Sequence, residues 1–342
     1  MLEQMDFDAS APRTIFLVHA LVMHYCFPWH HCLPPLLEAH HLGMAQGDVE
    51  TACWAIFNNR TVSIYCGKSL PSLENDCMIY MKQMKDLSMD QPLASLEPYL
   101  RGMQNLMGKS QNGSTLPGAE EKIAEYRKHG STLEGMQREV QVLLKVFFSK
   151  DEEGADIALE IAKNGVNMSE STIGFHMATF HSALLCYSAH RRTKRNRYLK
   201  LAKKHHQTIK TWAKAGNPNV VFAEQALSAE AALVAGKQKD AIEKYKAAAA
   251  SAEQIGYRSY HALLTERCGD AHATYGQFDS ANECWEKAIS INESWGAVAL
   301  VEKIRNNSKL SSSSFLTKDD AMEHAPSSTL DTTSLRRGST DN

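Results

Sequence analysis

The side chains with the richest coordination chemistry gather near the start of the chain, where Cys26, His30, His31, Cys32, His40 and His41 fall within one short stretch. Thiolate and imidazole together could build a zinc tetrahedron. The spacing opposes that reading, because neighbouring residues on a helix point about 100° apart and His30 and His31 cannot both face one ion. Histidines on an ordinary helix surface are the simpler account. Two phrases approach a phosphate loop. Gly102 precedes Gly108-Lys109-Ser110 by one residue too many, and Gly67-Lys68-Ser69 has Val62 where the first glycine is needed. Such a loop also needs a preceding strand, and no strand pattern is present. From His190 to His206 the run HRRTKRNRYLKLAKKHH offers a basic patch of Arg191, Arg192, Lys194, Arg195 and Arg197. With Tyr198 as its one aromatic it lacks stacking platforms for bases, so it reads as the solvated end of a hairpin. Near the C-terminus, Arg336-Arg337-Gly338-Ser339 suits a basophilic kinase, with Ser339 as the acceptor.

The elements that must carry these residues are helical. The 342-residue chain is 43% apolar with a net charge of −2, enough to bury a core and too balanced to draw it to nucleic acid or membrane by charge alone. Its eight cysteines contain no C-x-x-C pair, which fits reduced thiols in a reducing, cytoplasmic setting. The apolar run from Ile15 to Phe27 is interrupted by His19 and His24 and is too short to span a bilayer, and Glu3, Asp6 and Asp8 ahead of it have the wrong sign for a signal peptide.

Helical periodicity marks 14–27, 33–46 and 48–65, a segment capped by Ser69 and another opened by Pro92. After the loop GKSQNGSTLPG at 108–118 it resumes over 119–128, 131–148, 151–164, 170–189, 194–215, 219–235, 237–255, 258–275, 277–291 and 294–305. This divides the chain into a poorly ordered segment at 1–13, N-terminal hairpins at 14–107, the loop at 108–118, helical repeats at 119–305 and a Ser/Thr-rich tail at 306–342 too polar to fold.

Two of the repeats, at about 221–255 and 260–292, share one register. GKQKDAIEKYKAAA from Gly236 and GQFDSANECWEKAI from Gly276 align so that Ala229 matches Gly269, Ala241 matches Ala281, Tyr245 matches Trp285 and Ala248 matches Ala288. Small residues at those places let antiparallel helices approach while a ring fills the gap to the next hairpin, as in tetratricopeptide repeats. The expected fold is an all-α solenoid of antiparallel hairpins. In it Glu230, Glu266 and Asp270 would line an inner groove suited to a basic or amphipathic peptide, unless helices of the same chain fill it.

Several segments together resemble the long helical region of large hybrid signalling proteins that carry serine/threonine kinase, AAA-type ATPase, GAF and histidine kinase domains. They are LLEAHHLGMAQGDVETACWAIFNN (37–59), GADIALEIAKN (154–164), GFHMATFHSALLCYSA (174–189), the stretch at 209–257 containing Trp212-Ala213 and Asn217-Pro218-Asn219, and the stretch at 266–304 containing Trp295-Gly296-Ala297. The likeness implies a scaffold or relay, a fragment or relative of such kinases, that works with a protein partner or flanking signalling domains. Neither a kinase catalytic loop nor a Walker motif nor a phospho-accepting histidine box maps onto the chain. The reading is therefore a non-enzyme that needs no cofactor, metal, nucleic acid or membrane, with any small-molecule ligand left open. Two alternatives are a metal- or nucleotide-dependent enzyme built on 24–41 and a basic-patch nucleic-acid binder.

Overall fold

The computed structural model describes residues 10–128, 132–166 and 171–307, and among these the secondary structure is wholly helical. The helices are α1 (Ala11–Leu21), α2 (Leu33–Gln46), α3 (Val49–Tyr65), α4 (Leu70–Asp86), α5 (Asp90–Leu106), α6 (Ala119–Lys128) and α7 (Leu133–Phe147). They continue as α8 (Asp151–Asn164), α9 (Ile173–Thr193), α10 (Asn196–Lys214), α11 (Val221–Val234), α12 (Gln238–Gln254), α13 (Arg258–Thr274) and α14 (Phe278–Trp295), with α15 at 298–307. Successive helices pack as hairpins, and α9 is also packed by α7, α8 and α11. The architecture is an all-α stack of hairpins. Among the described residues no helix is long and apolar enough to cross a membrane.

Helix ends follow from local chemistry. Asp48 accepts from the Thr51 N–H at the start of α3, and Thr172 accepts from the Phe175 N–H at the start of α9, each satisfying a donor with no partner inside its helix. In the second half the stops are metrical. Gly216, Gly236, Gly256, Gly276 and Gly296 recur every twenty residues with φ of 92°, 71°, 81°, 75° and 88°, the left-handed turn that only glycine adopts without strain. Each 40-residue repeat is thus two helices whose stops lie twenty residues apart.

Burial sorts the helices into layers. α3, α7, α9 and α13 are buried along nearly their whole circumference, so their polar residues must find partners inside. α10 and α14 keep an apolar stripe and a solvated face. One core runs from Ala20 in α1 to Leu300 in α15, crossing the 108–118 loop, where the Asn105 amide donates to the carbonyls of Gly113 and Thr115. A smaller cluster of Ala281, Trp285, Ala288, Ile289, Val301 and Ile304 closes the C-terminal end.

Some boundaries differ from expectation. Helix α1 starts at Ala11, inside the segment expected to be poorly ordered, and stops at Leu21 rather than running to Phe27. Residues 23–25 and 29–32 form short 3-10 turns instead. The reason is tertiary: Asn219 Nδ2 donates to the His24 and Phe27 carbonyls, and the Trp29 N–H donates to Asn219 Oδ1 and to the Tyr257 hydroxyl. The Trp29 ring stacks on Tyr257 with centroids 4.9 Å apart. These contacts give the backbone better partners than another helical turn would. Residues 1–9 and the tail from 308 onward, Ser339 included, lie outside the described residues.

The repeat register is set by close approach. Ala229, Ala241, Ala248, Ala281 and Ala288 are all fully buried, with Tyr245 and Trp285 packed beside them. A Cβ added at Gly269 would lie 2.7 Å from the Trp285 ring and 3.1 Å from the Ala281 carbonyl oxygen. Replacing a helical glycine by alanine ordinarily gains about 1 kcal/mol, while forcing a methyl into a filled interface costs about 1–3 kcal/mol. Since the obstacles are a wedged ring and backbone, the steric cost wins. Gly269→Ala is expected to lower the unfolding free energy by about 1–2 kcal/mol in urea denaturation; an alanine variant as stable as the parent would contradict this packing.

Candidate functional site

The inner faces of α9, α11 and α13 bring together charged residues that are far apart in sequence. Glu230, fully buried on α11, accepts from Arg191 Nε at 3.0 Å, from Arg267 Nη1 at 3.2 Å and from the Tyr245 hydroxyl. The other arm of Arg267, Nη2, reaches Asp151 Oδ1 on α8 at 3.1 Å, and Asp151 Oδ2 accepts from the Ser188 hydroxyl at 2.6 Å. Further along, Lys303 on α15 pairs with the buried Glu266 at 2.6 Å. Trp285 Nε1 donates to Asp270 Oδ1 at 3.0 Å. These contacts tie α8, α9, α11, α13 and α15 side to side.

The repeat governs this polar chemistry as well as the packing. Tyr245 reaches Glu230 and Trp285 reaches Asp270, in each case fifteen residues back along the chain. The acid that follows the small residue therefore anchors the polar atom of the ring that packs over it. The sequence puts Glu230, Glu266 and Asp270 on an inner groove unless helices of the same chain fill it. For the two glutamates the chain's own helices fill that space, since both are buried and engaged by cations of the same chain. Only Asp270 remains exposed, at the rim of a cavity of about 100 Å³ that Asp151, Arg191, Glu230, Tyr245 and Arg267 also line.

Electrostatics agree with the geometry. Burial alone would lower the Arg267 guanidinium, but Asp151, Tyr245 and Glu230 hold it above the usual arginine range. Arg191 is raised chiefly by Glu230. The Asp270 carboxyl is pushed up to about 6 by desolvation and then by the like charge of Glu266, against the opposing effects of Lys303, the Trp285 hydrogen bond and Arg267.

A second polar centre lies in the cleft between α3, α5, α7 and α9. Glu139 on α7 is buried and accepts from the Tyr99 hydroxyl at 2.7 Å and from the Tyr65 hydroxyl. Burial raises its carboxyl to about 7, against the opposing effect of the two phenols. Gly174 makes room for it, since a Cβ there would collide with the carboxylate. The cleft encloses about 80 Å³ beside Phe57, Thr61 and Met136. A carboxyl there can exchange a proton near neutral pH.

The other sequence candidates separate. In the 24–41 region Cys26, His30, His31 and His41 are exposed while His24, Cys32 and His40 are buried, and they do not converge on one point. His40 Nδ1 pairs with the Ala52 carbonyl at 3.0 Å. Burial, then His176, drives the His24 imidazole down to about 3, and burial lifts the Cys32 thiol to about 11. Both phosphate-loop phrases are helix ends: Lys109 pairs with Glu74 at 2.5 Å, and Gly67 lies where a Cβ would strike the Ser259 and Arg258 backbone. The basic patch is largely neutralised, with Arg195 on Glu152 and Arg197 on Asp156, both at 2.9 Å, and Arg191 drawn into the inner cluster. Arg192 and Lys194 stay exposed. The set that does converge, Cys268, His272 and Cys284, was not singled out from the sequence.

No family model and no curated protein sequence matches the chain.

Two outcomes follow from these buried groups. Arg267→Met leaves Glu230 and Asp151 short of a counter-charge in a dry site, and should lower the unfolding free energy by about 3 kcal/mol in denaturant titration; a loss below about 1 kcal/mol would show the cluster to be solvated. Glu139 has a higher pKa folded, about 7, than its ordinary 4.5, so its contribution to stability is complete below pH 4.5 and is lost as pH rises through 7. The stability advantage of the parent over Glu139→Gln should therefore shrink by about 2 kcal/mol between pH 5.5 and 8. A pH-independent difference would contradict the buried carboxyl.

Proposed function

We propose that this chain is a non-catalytic helical-repeat scaffold, cytoplasmic, which holds a protein partner or flanking signalling domains at a fixed separation and relays strain between them. The observation that carries this reading is the ladder of ion pairs from Asp151 through Arg267, Glu230 and Arg191, with Lys303 on Glu266 beyond it. Such a ladder turns stacked hairpins into one body. A displacement at α15 must either break a buried pair or move α13, and α13 is bonded in turn to α8 and α11. The resemblance to the helical region of hybrid signalling kinases gives the relay its context. The thiols, mostly buried, support a reducing compartment.

The competing readings have less to stand on. A nucleic-acid surface needs cations free to meet phosphates, and three of the five arginine and lysine residues in the basic patch are already paired with carboxylates. An enzyme built on 24–41 needs donors that meet, and these diverge.

The test is isolation of the full chain from its native source by cross-linking and quantitative mass spectrometry, beside the Arg267→Met variant. The scaffold reading expects a stoichiometric protein partner, or signalling domains in the same polypeptide, whose attachment at physiological salt weakens when Arg267 is lost. A partner-free chain that retains nucleic acid in a salt-dependent manner, or that turns over a small substrate, would overturn it.

A further inference from the structure

Cys268 and His272 are one turn apart on α13 and share a face, and Cys284 reaches toward them from α14. One ligand atom from each of the three, two sulfurs and an imidazole nitrogen, lies within 4.8 Å of the others. Around a tetrahedral zinc ion, with metal–sulfur bonds of about 2.3 Å and metal–nitrogen bonds of about 2.0 Å, such atoms stand roughly 3.5–3.8 Å apart. A small inward adjustment of side-chain rotamers closes that gap. Cys268 is 2% and His272 5% exposed, while Cys284 is half-buried and keeps a path to solvent.

The imidazole carries a second, independent sign. His272 Nδ1 bonds Gln277 Oε1 at 2.7 Å, and an amide oxygen can only accept, so the proton sits on Nδ1. That leaves Nε2 with a free lone pair, and it is buried without a hydrogen-bond partner. An unsatisfied acceptor in a dry site is a penalty that folding does not ordinarily leave in place. Hydrogen-bonding one ring nitrogen is also how metal sites fix the tautomer that leaves the other free to ligate. Gln277 sits in the turn between the two helices, so one residue positions the ligand and joins the hairpin.

We propose that Cys268, His272 and Cys284 form a zinc site that clasps α13 to α14, with the fourth position facing solvent and filled by water or by a ligand from a partner. Two thiolates balance the charge of a divalent ion, and sulfur with imidazole selects zinc over magnesium or calcium. Both thiols release their protons to solvent on binding and no electron is transferred. The site is separate from the 24–41 residues. It also lies beside the Gly269–Trp285 contact, so the metal would stiffen the hairpin that carries the repeat register.

The experiment uses the full chain purified reduced and free of chelator, titrated with zinc and separately with cobalt(II). The expected result is about one zinc per chain and, with cobalt, thiolate charge-transfer and tetrahedral visible bands. Cys284→Ser and His272→Gln should each weaken zinc binding by about a hundredfold, and Gln277→Ala by about tenfold, with helical circular dichroism retained. Cys26→Ser should change nothing. The proposal is overturned if the reduced chain binds no stoichiometric zinc, if Cys284→Ser binds as well as the parent, or if Cys26→Ser removes the ion. A Cys268–Cys284 disulfide whose reduction yields a chain indifferent to zinc would overturn it equally.

Discussion

A carboxylate stripped of water tolerates no missing partner, and Glu230 is such a group at the centre of the stack. With no solvent access, it depends on Arg191 from one hairpin, Arg267 from the next and Tyr245 from its own. Arg267 in turn needs Asp151, so the position of α8 is fixed by the same charge balance that fixes α11 and α13. Close packing sets the register within a hairpin, as at Gly269 and Trp285. Buried charges allow one register, because every alternative leaves an ion unpaired in a medium that solvates it poorly. The fixed placement of the hairpins thus comes from a few polar contacts laid over a large apolar core.

The second organising contact joins the early segment to the turn before α11 and to the residue that precedes α13. Asn219 uses both atoms of its amide to hold 24–29, and Tyr257 shares that grip while its ring lies on Trp29. The chemistry of the early segment therefore resides in its backbone and in one tryptophan rather than in its histidines. Nearby, the Ser259 hydroxyl donates to the Tyr65 carbonyl and Trp295 Nε1 to the Lys68 carbonyl, so α3 and the turn after it are fastened to the C-terminal repeats. Closure of this kind explains why Gly67 must be small.

What the sequence made legible was what repeats. The pairing of Ala229 with Gly269 and of Tyr245 with Trp285 could be read because the same residue types recur forty positions apart, and the helical periods located most elements within a few residues. The acids at Glu230 and Asp270 were visible, but not their fate, because Arg191 and Arg267 reach Glu230 from 39 and 37 residues away. Glu139 gave no distinct sign, since α7 also carries Glu134, Gln137, Arg138, Gln141 and Lys145, and its tyrosines come from α3 and α5. The convergence of Cys268, His272 and Cys284 had a legible half, a cysteine and a histidine four apart on one helix. The crowding of ligand types at 24–41 is no guide to it, since ligand sets are defined by which faces meet and not by how closely residues follow one another. The 3-10 turns at 23–32 were unreadable for the same reason, being imposed by Asn219 from the far side of the fold.

Native-state hydrogen exchange across increasing denaturant tests most directly whether buried charge makes the hairpins one mechanical body. Core amides of α8, α9, α11 and α13 should merge into a single opening, with a common free energy and a common denaturant dependence. Amides of α13 to α15 that open well below those of α8 and α9, with a smaller denaturant slope of their own, would contradict it.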